Sequence, residues 1–88
     1  MDKKYAKAYT EVIEILKHIP KEEYDKIPET EIQFYENNCD KNYKYVYDEN
    51  KTIKEQPISR EANAVIISIY MNYFANENFV VLSQFFRV

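Results

Sequence analysis

Ser59-Arg60-Glu61-Ala62-Asn63-Ala64-Val65-Ile66-Ile67-Ser68-Ile69-Tyr70-Met71-Asn72-Tyr73-Phe74-Ala75 is the stretch that decides the fold. Ser59 can accept a hydrogen bond from the first turn and so caps a helix predicted over Arg60–Ala75. Ala62, Val65, Ile66, Ile69, Tyr70 and Tyr73 recur at three- and four-residue spacing and form its principal stripe. Ile67, Met71 and Phe74, spaced by four and then three, form a second stripe on another side. A helix that is apolar around most of its circumference needs partners on several sides. The expectation is a central helix with the rest of the chain arranged around it.

Working towards the N-terminus, Thr52-Ile53-Lys54-Glu55 has the spacing of a capping box and predicts one helical turn, stopped by Pro57. Tyr43-Lys44-Tyr45-Val46-Tyr47 breaks the helical period: its tyrosines alternate, which predicts an extended segment, either a lone edge or half of a small hairpin. Pro28-Glu29 opens a helix reaching about Asn38, with Ile32, Tyr35 and Cys39 inward. Lys21–Lys26, between Pro20 and Pro28, suits a turn or two of helix.

The first helix is predicted over Asp2–His18, with Asp2 as its cap and Pro20 as its stop. Tyr5, Ala8, Tyr9, Val12, Leu16 and Ile19 make its inner face, and Lys7, Glu11, Glu14 and His18 are assigned to the opposite, solvated face.

Towards the C-terminus, Asn76 can cap a last element. Phe79, Leu82 and Phe86 fall on one side of it and Val81, Phe85 and Val88 on another; helix is the favoured reading over strand. From Ala62 to Val88, 18 of 27 residues are apolar. A single 88-residue core has limited room to cover so much apolar surface. The expectation is therefore a symmetric dimer formed through this C-terminal third.

The fold class that follows is all-α: a small orthogonal bundle of about four to five helices with one short extended Tyr-rich segment, residues 1–88 forming a single domain. Charge supports this layout. Residues 1–30 carry 13 charged side chains and 31–60 carry 11, whereas 61–88 carry only Glu61, Glu77 and Arg87. The expected core is Val12, Leu16, Ile32, Tyr35, Val65, Ile66, Ile69 and Tyr73.

Composition excludes several functions at once. The chain has no glycine, so phosphate-cradling loops, the dinucleotide fingerprint, the nucleophile elbow and the EF-hand turn have no backbone to form on. A net charge of −3 gives no general attraction to phosphate backbones or anionic membranes. The N-terminus lacks the apolar run of a secretory signal, and the longest apolar stretches are far short of the roughly 18–20 residues that span a bilayer. A cytoplasmic location is expected.

Candidate chemistry is sparse. His18, the lone histidine, is read as a surface residue at a helix end rather than a general base. Cys39 is the only cysteine, so it is read as a structural thiol. The acidic pairs Glu22/Glu23, Glu29/Glu31 and Asp48/Glu49 are read as solvated. No catalytic residue, cofactor or metal site is expected, and the chain is not read as an enzyme.

Lys41 to Tyr47 interleaves tyrosines with two lysines, a composition shared by single-strand stacking platforms, protein interfaces and ordinary packing. The candidate interaction surface comprises Tyr43, Tyr45, Tyr47, Phe79, Leu82, Phe85 and Phe86. The leading functional expectation is a self-associating protein–protein interaction or regulatory module with an unidentified protein partner. The alternative is a nucleic-acid-associated adaptor using residues 41–47.

Residues 43–66, in particular Lys51-Thr52-Ile53-x-Glu55-Gln56 followed by Ser59-Arg60-Glu61-Ala62, resemble a family of small uncharacterised proteins from clostridia-like bacteria. Lys4-Tyr5-Ala6 and Ile19-Pro20 are similar in style. The resemblance implies a helical fold and a bacterial cytoplasmic origin. That family carries no assigned activity, so no site residue is transferred from it.

Overall fold

The computed structural model describes residues 3–74. Four α-helices follow in order: α1 (Lys3–Leu16), α2 (Lys21–Tyr24), α3 (Glu29–Asn38) and α4 (Arg60–Tyr73), with a 3₁₀ turn at Ile53–Glu55 before the last. They build a small all-α bundle. Among the described residues there is no strand.

The punctuation of the chain sets the boundaries. Pro20 and Pro28 stand immediately before α2 and α3, and their carbonyls accept the first helical hydrogen bonds, from Glu23 and Tyr24 and from Glu31 and Ile32. A missing N–H costs nothing at that position. Helix α1 ends at Leu16, two residues short of the expected His18, because His18 N–H bonds to the Ile15 carbonyl in a tightened last turn. Ser59 caps α4 as expected, its hydroxyl accepting the Ala62 N–H at 3.1 Å. The Thr52–Glu55 turn also forms as expected, the Thr52 N–H and hydroxyl each donating to the Glu55 carboxylate at 2.9 Å.

Helices α1 and α3 run antiparallel: the Asp40 N–H just past α3 bonds to the Ala6 carbonyl at 3.0 Å, near the start of α1. Tyr9 of α1 meets the rings of Phe34 and Tyr35 of α3, with centroids 5.6 and 5.4 Å away. Helix α4 packs along α1 through Ala62, Ile66, Ile69 and Tyr70, all buried, against Ala8, Val12 and Ile15. Of the eight expected core residues, Val12, Leu16, Ile32, Tyr35, Ile66 and Ile69 are buried, and Val65 and Tyr73 are half-buried at the margin.

Three expectations are corrected. The central helix is α1, which packs against both α3 and α4. Among the described residues the outward face of α4 carries exposed Ala64, Ser68 and Met71, the last 61% exposed. Tyr5 lies outside the α1 inner face, which continues instead through Ile15. Glu11, assigned to the solvated face, is only 6% exposed. The reason is spacing: Ala8, Glu11 and Ile15 are three and four apart, so the face that packs on α4 contains the carboxylate. The last element, with Phe79, Leu82, Phe85 and Phe86, lies outside the described residues, as does the Asp2 cap.

Candidate functional site

Residues 43–48 run as an extended loop across the bundle without a partner strand. The alternation read from the sequence holds: Tyr43, Tyr45 and Tyr47 are half-buried, whereas Lys44 and Val46 face solvent. Each tyrosine is received by a different side chain.

Tyr43 donates its hydroxyl to Glu11 at 2.7 Å, and Lys7 lies 5.7 Å from its ring centroid. The other Glu11 oxygen accepts the Ser59 N–H at 2.9 Å. One buried carboxylate thereby ties the tyrosine loop and the start of α4 to the middle of α1. A buried carboxylate requires such donors, because it has given up its water. The hydrogen bond to Glu11, with burial adding to it, pushes the Tyr43 phenol up to about 12.

Tyr45 donates to the side-chain oxygen of Gln56 at 3.0 Å. Gln56 is fully buried. The same oxygen accepts the Asp48 N–H at 2.9 Å, and its amide nitrogen donates to the carbonyls of Asp48, Lys51 and Thr52 at 2.7, 3.2 and 3.4 Å. The amide therefore supplies the loop with the backbone partners that a sheet would otherwise provide.

Tyr47 stacks flat on His18, with centroids 3.6 Å apart and planes 9° from parallel. The lone histidine is thus a packing surface for the loop. Cys39 is partly buried, its Sγ within 3.4 Å of the Glu36 carbonyl and 3.7 Å of the Lys41 ammonium.

A second polar junction joins α3 to α4. Glu31 accepts the hydroxyls of Tyr35, at 2.6 Å, and of Tyr73. The expectation of a fully solvated acidic pair at Glu29/Glu31 is therefore corrected at Glu31. Burial first, and then Glu31, raises the Tyr35 phenol; burial first, and then the charge of Glu23, raises that of Tyr70. On Tyr73 the hydrogen bond to Glu31 is the larger cause.

These shifts have a pH consequence. A phenol whose folded pKa exceeds its unfolded value of about 10 contributes stability that is complete below that value and is lost as pH rises towards the folded pKa. The urea midpoint is expected to hold up to about pH 9 and then to fall across the interval from about 10 to 12 that Tyr43 sets. Tyr43→Phe should make the fall shallower. A midpoint unchanged through this interval would contradict the Tyr43–Glu11 bond.

A cleft of about 330 Å³ opens between α1, α2 and α3, with Ile13, Leu16, Tyr24 and Ile32 in its walls and Cys39 and Lys41 at one end. No three His, Cys, Asp or Glu side chains come together to hold a metal ion among the described residues. None of their helices is long and apolar enough to cross a membrane.

Sequence reading found the tyrosines but missed Glu11 and Gln56. The signal for Glu11 was present in the Ala8–Glu11–Ile15 spacing. Nothing in the local sequence marks Gln56, whose partners lie four to eleven residues away in an irregular loop. Comparisons with protein-family models, with curated proteins and with solved structures find no match.

Proposed function

We propose that this chain is a non-catalytic intracellular interaction module that self-associates through its C-terminal third. The observation that carries the reading is an open apolar face on α4. Ala64, Ile67 and Met71 form a face of α4 that the described residues leave wholly or partly open. In the sequence that follows, eight of residues 75–88 are apolar. Apolar surface on this scale is hidden by association more economically than by hydration, and a two-fold dimer hides it with one self-complementary patch.

The chemistry of the described body supports a non-catalytic role. Glu11 is engaged by Tyr43 and Ser59, and His18 lies flat under Tyr47. Neither is presented to a cleft as a base. The same contacts weigh against a nucleic-acid platform on residues 41–47. A stacking base needs a free ring face, and His18 covers one face of Tyr47 while the hydroxyls of Tyr43 and Tyr45 tie those side chains to the body. A bacterial cytoplasmic setting rests on the resemblance of residues 43–66.

Sedimentation equilibrium at micromolar concentration tests the proposal. The expected result is a two-chain mass that Phe85→Glu shifts towards one chain. A one-chain mass for the unaltered protein would overturn it.

A further inference from the structure

The cleft between α1, α2 and α3 shares no lining residue with the polar junctions at Glu11, Gln56 and Glu31. At about 330 Å³ it lies at the small end of the range in which proteins hold small molecules. Leu16 and Ile32, both buried in the core, and Ile13 and Tyr24, both half-buried, give it apolar walls. Leu16, Lys17 and Tyr24 also line a neighbouring hollow of about 390 Å³ that reaches Ile19 and Lys21. The apolar path is therefore elongated, which suits a linear chain better than a ring.

Charge decides the head group. Lys41 donates from its ammonium to the main-chain carbonyl of Glu36 at 2.7 Å and lies 3.7 Å from the Cys39 thiol. Both partners are uncharged, and among the described residues no carboxylate pairs with this ammonium. The carbonyl belongs to the last turn of α3 and holds the cation at the end of the cleft in advance, so an arriving anion does not have to order it. The other lining cation, Lys17, is already matched by Glu14 at 2.8 Å. Glu36 brings the one carboxylate among the described lining residues, and it is exposed. One unmatched ammonium at the end of an apolar path fits a monoanion. A phosphate would call for a backbone nest, which a chain without glycine does not readily form.

We propose that this cleft binds a linear medium-chain carboxylate, with its alkyl chain along Ile13, Leu16, Tyr24 and Ile32 and its carboxylate on Lys41. Such a site needs no second copy of the chain and is independent of the self-association proposed above.

Octanoate titrated into the full chain tests the site, read on the methyl resonances of Ile13, Leu16 and Ile32. These signals should shift and saturate in the millimolar range. Hexanoate should bind more weakly, by up to about fourfold for each methylene removed from the walls. Octylamine, which brings a cation to Lys41, should bind more weakly than octanoate by at least about tenfold, and Lys41→Met should weaken octanoate by a similar factor while leaving octanamide unchanged. Glu36→Gln, which removes the exposed carboxylate from the rim, should tighten octanoate. Cys39, the only cysteine, gives a second reading at the cleft itself: octanoate should slow its alkylation by iodoacetamide.

Methyl signals that stay in place up to the solubility limit of octanoate would overturn the proposal. Shifts confined to other residues, with Cys39 alkylation unchanged, would overturn the cleft as their source. Octylamine binding as tightly as octanoate to the unaltered chain would overturn the choice of an anion. A loss of octanoate binding in Lys17→Met but not in Lys41→Met would overturn the position of the head group.

Discussion

Ile66→Ala is expected to lower the unfolding free energy by about 2–5 kcal/mol, as a cavity-forming truncation in a closed core does. Ile66 is 2% exposed and belongs to the same cluster as Val12, Ile15, Ile69 and Tyr70. The loss combines the transfer of three carbons out of apolar surroundings with a void that two helices cannot both relax to fill. Against the roughly 5–15 kcal/mol that holds a typical domain, this is a large fraction. Urea melts of the two proteins read it directly. A loss under about 1 kcal/mol would mean that α4 does not close the core over α1.

Gln56→Leu is expected to cost about 3 kcal/mol, although it keeps the side chain's bulk and adds apolar character. The leucine cannot replace five hydrogen bonds: those to the Tyr45 hydroxyl, the Asp48 N–H and the carbonyls of Asp48, Lys51 and Thr52. Each buried group left without a partner costs about 1–3 kcal/mol, and partial opening of the loop to water limits the sum. The helices have their own backbone ladders, so far-UV circular dichroism should change little at 25 °C while the urea midpoint falls and the Asp48 amide exchanges faster. Unchanged exchange at Asp48 together with a loss under about 1 kcal/mol would show that the loop is held by something other than this amide.

The two variants act on different parts of the molecule. Ile66 reports on a helix pair visible in the sequence pattern, whereas Gln56 reports on a loop whose path no pattern predicted. The candidate interaction surface divides along the same line. Tyr43, Tyr45 and Tyr47 were legible as a group from their alternation, yet only the fold shows that Glu11, Gln56 and His18 receive them. Their hydroxyls and rings are used in holding the loop to Glu11, Gln56 and His18.

The sequence by itself determined that this is an all-α chain and where three of its helices begin. Ser59, Pro20 and Pro28 act through bonds within one turn, so their meaning survives without knowledge of the rest of the chain. It also marked Ile32 and Tyr35 of α3 and Ala62, Ile66, Ile69 and Tyr70 of α4 as inward, because helical period is a local property, while the second stripe of α4 divided, Phe74 being buried and Met71 exposed. Only the tertiary structure decided which helix is central, since that depends on how two amphipathic faces compete for the same neighbour; α1 holds α3 on one side and α4 on another. It alone gave Glu11, whose inward place the spacing already held, Tyr43 and Ser59, residues 32 and 48 positions away, as donors. A buried charge is tolerated only where distant donors converge on it, and convergence over such separations is written in the packing of helices, not in the spacing of residues along any one of them.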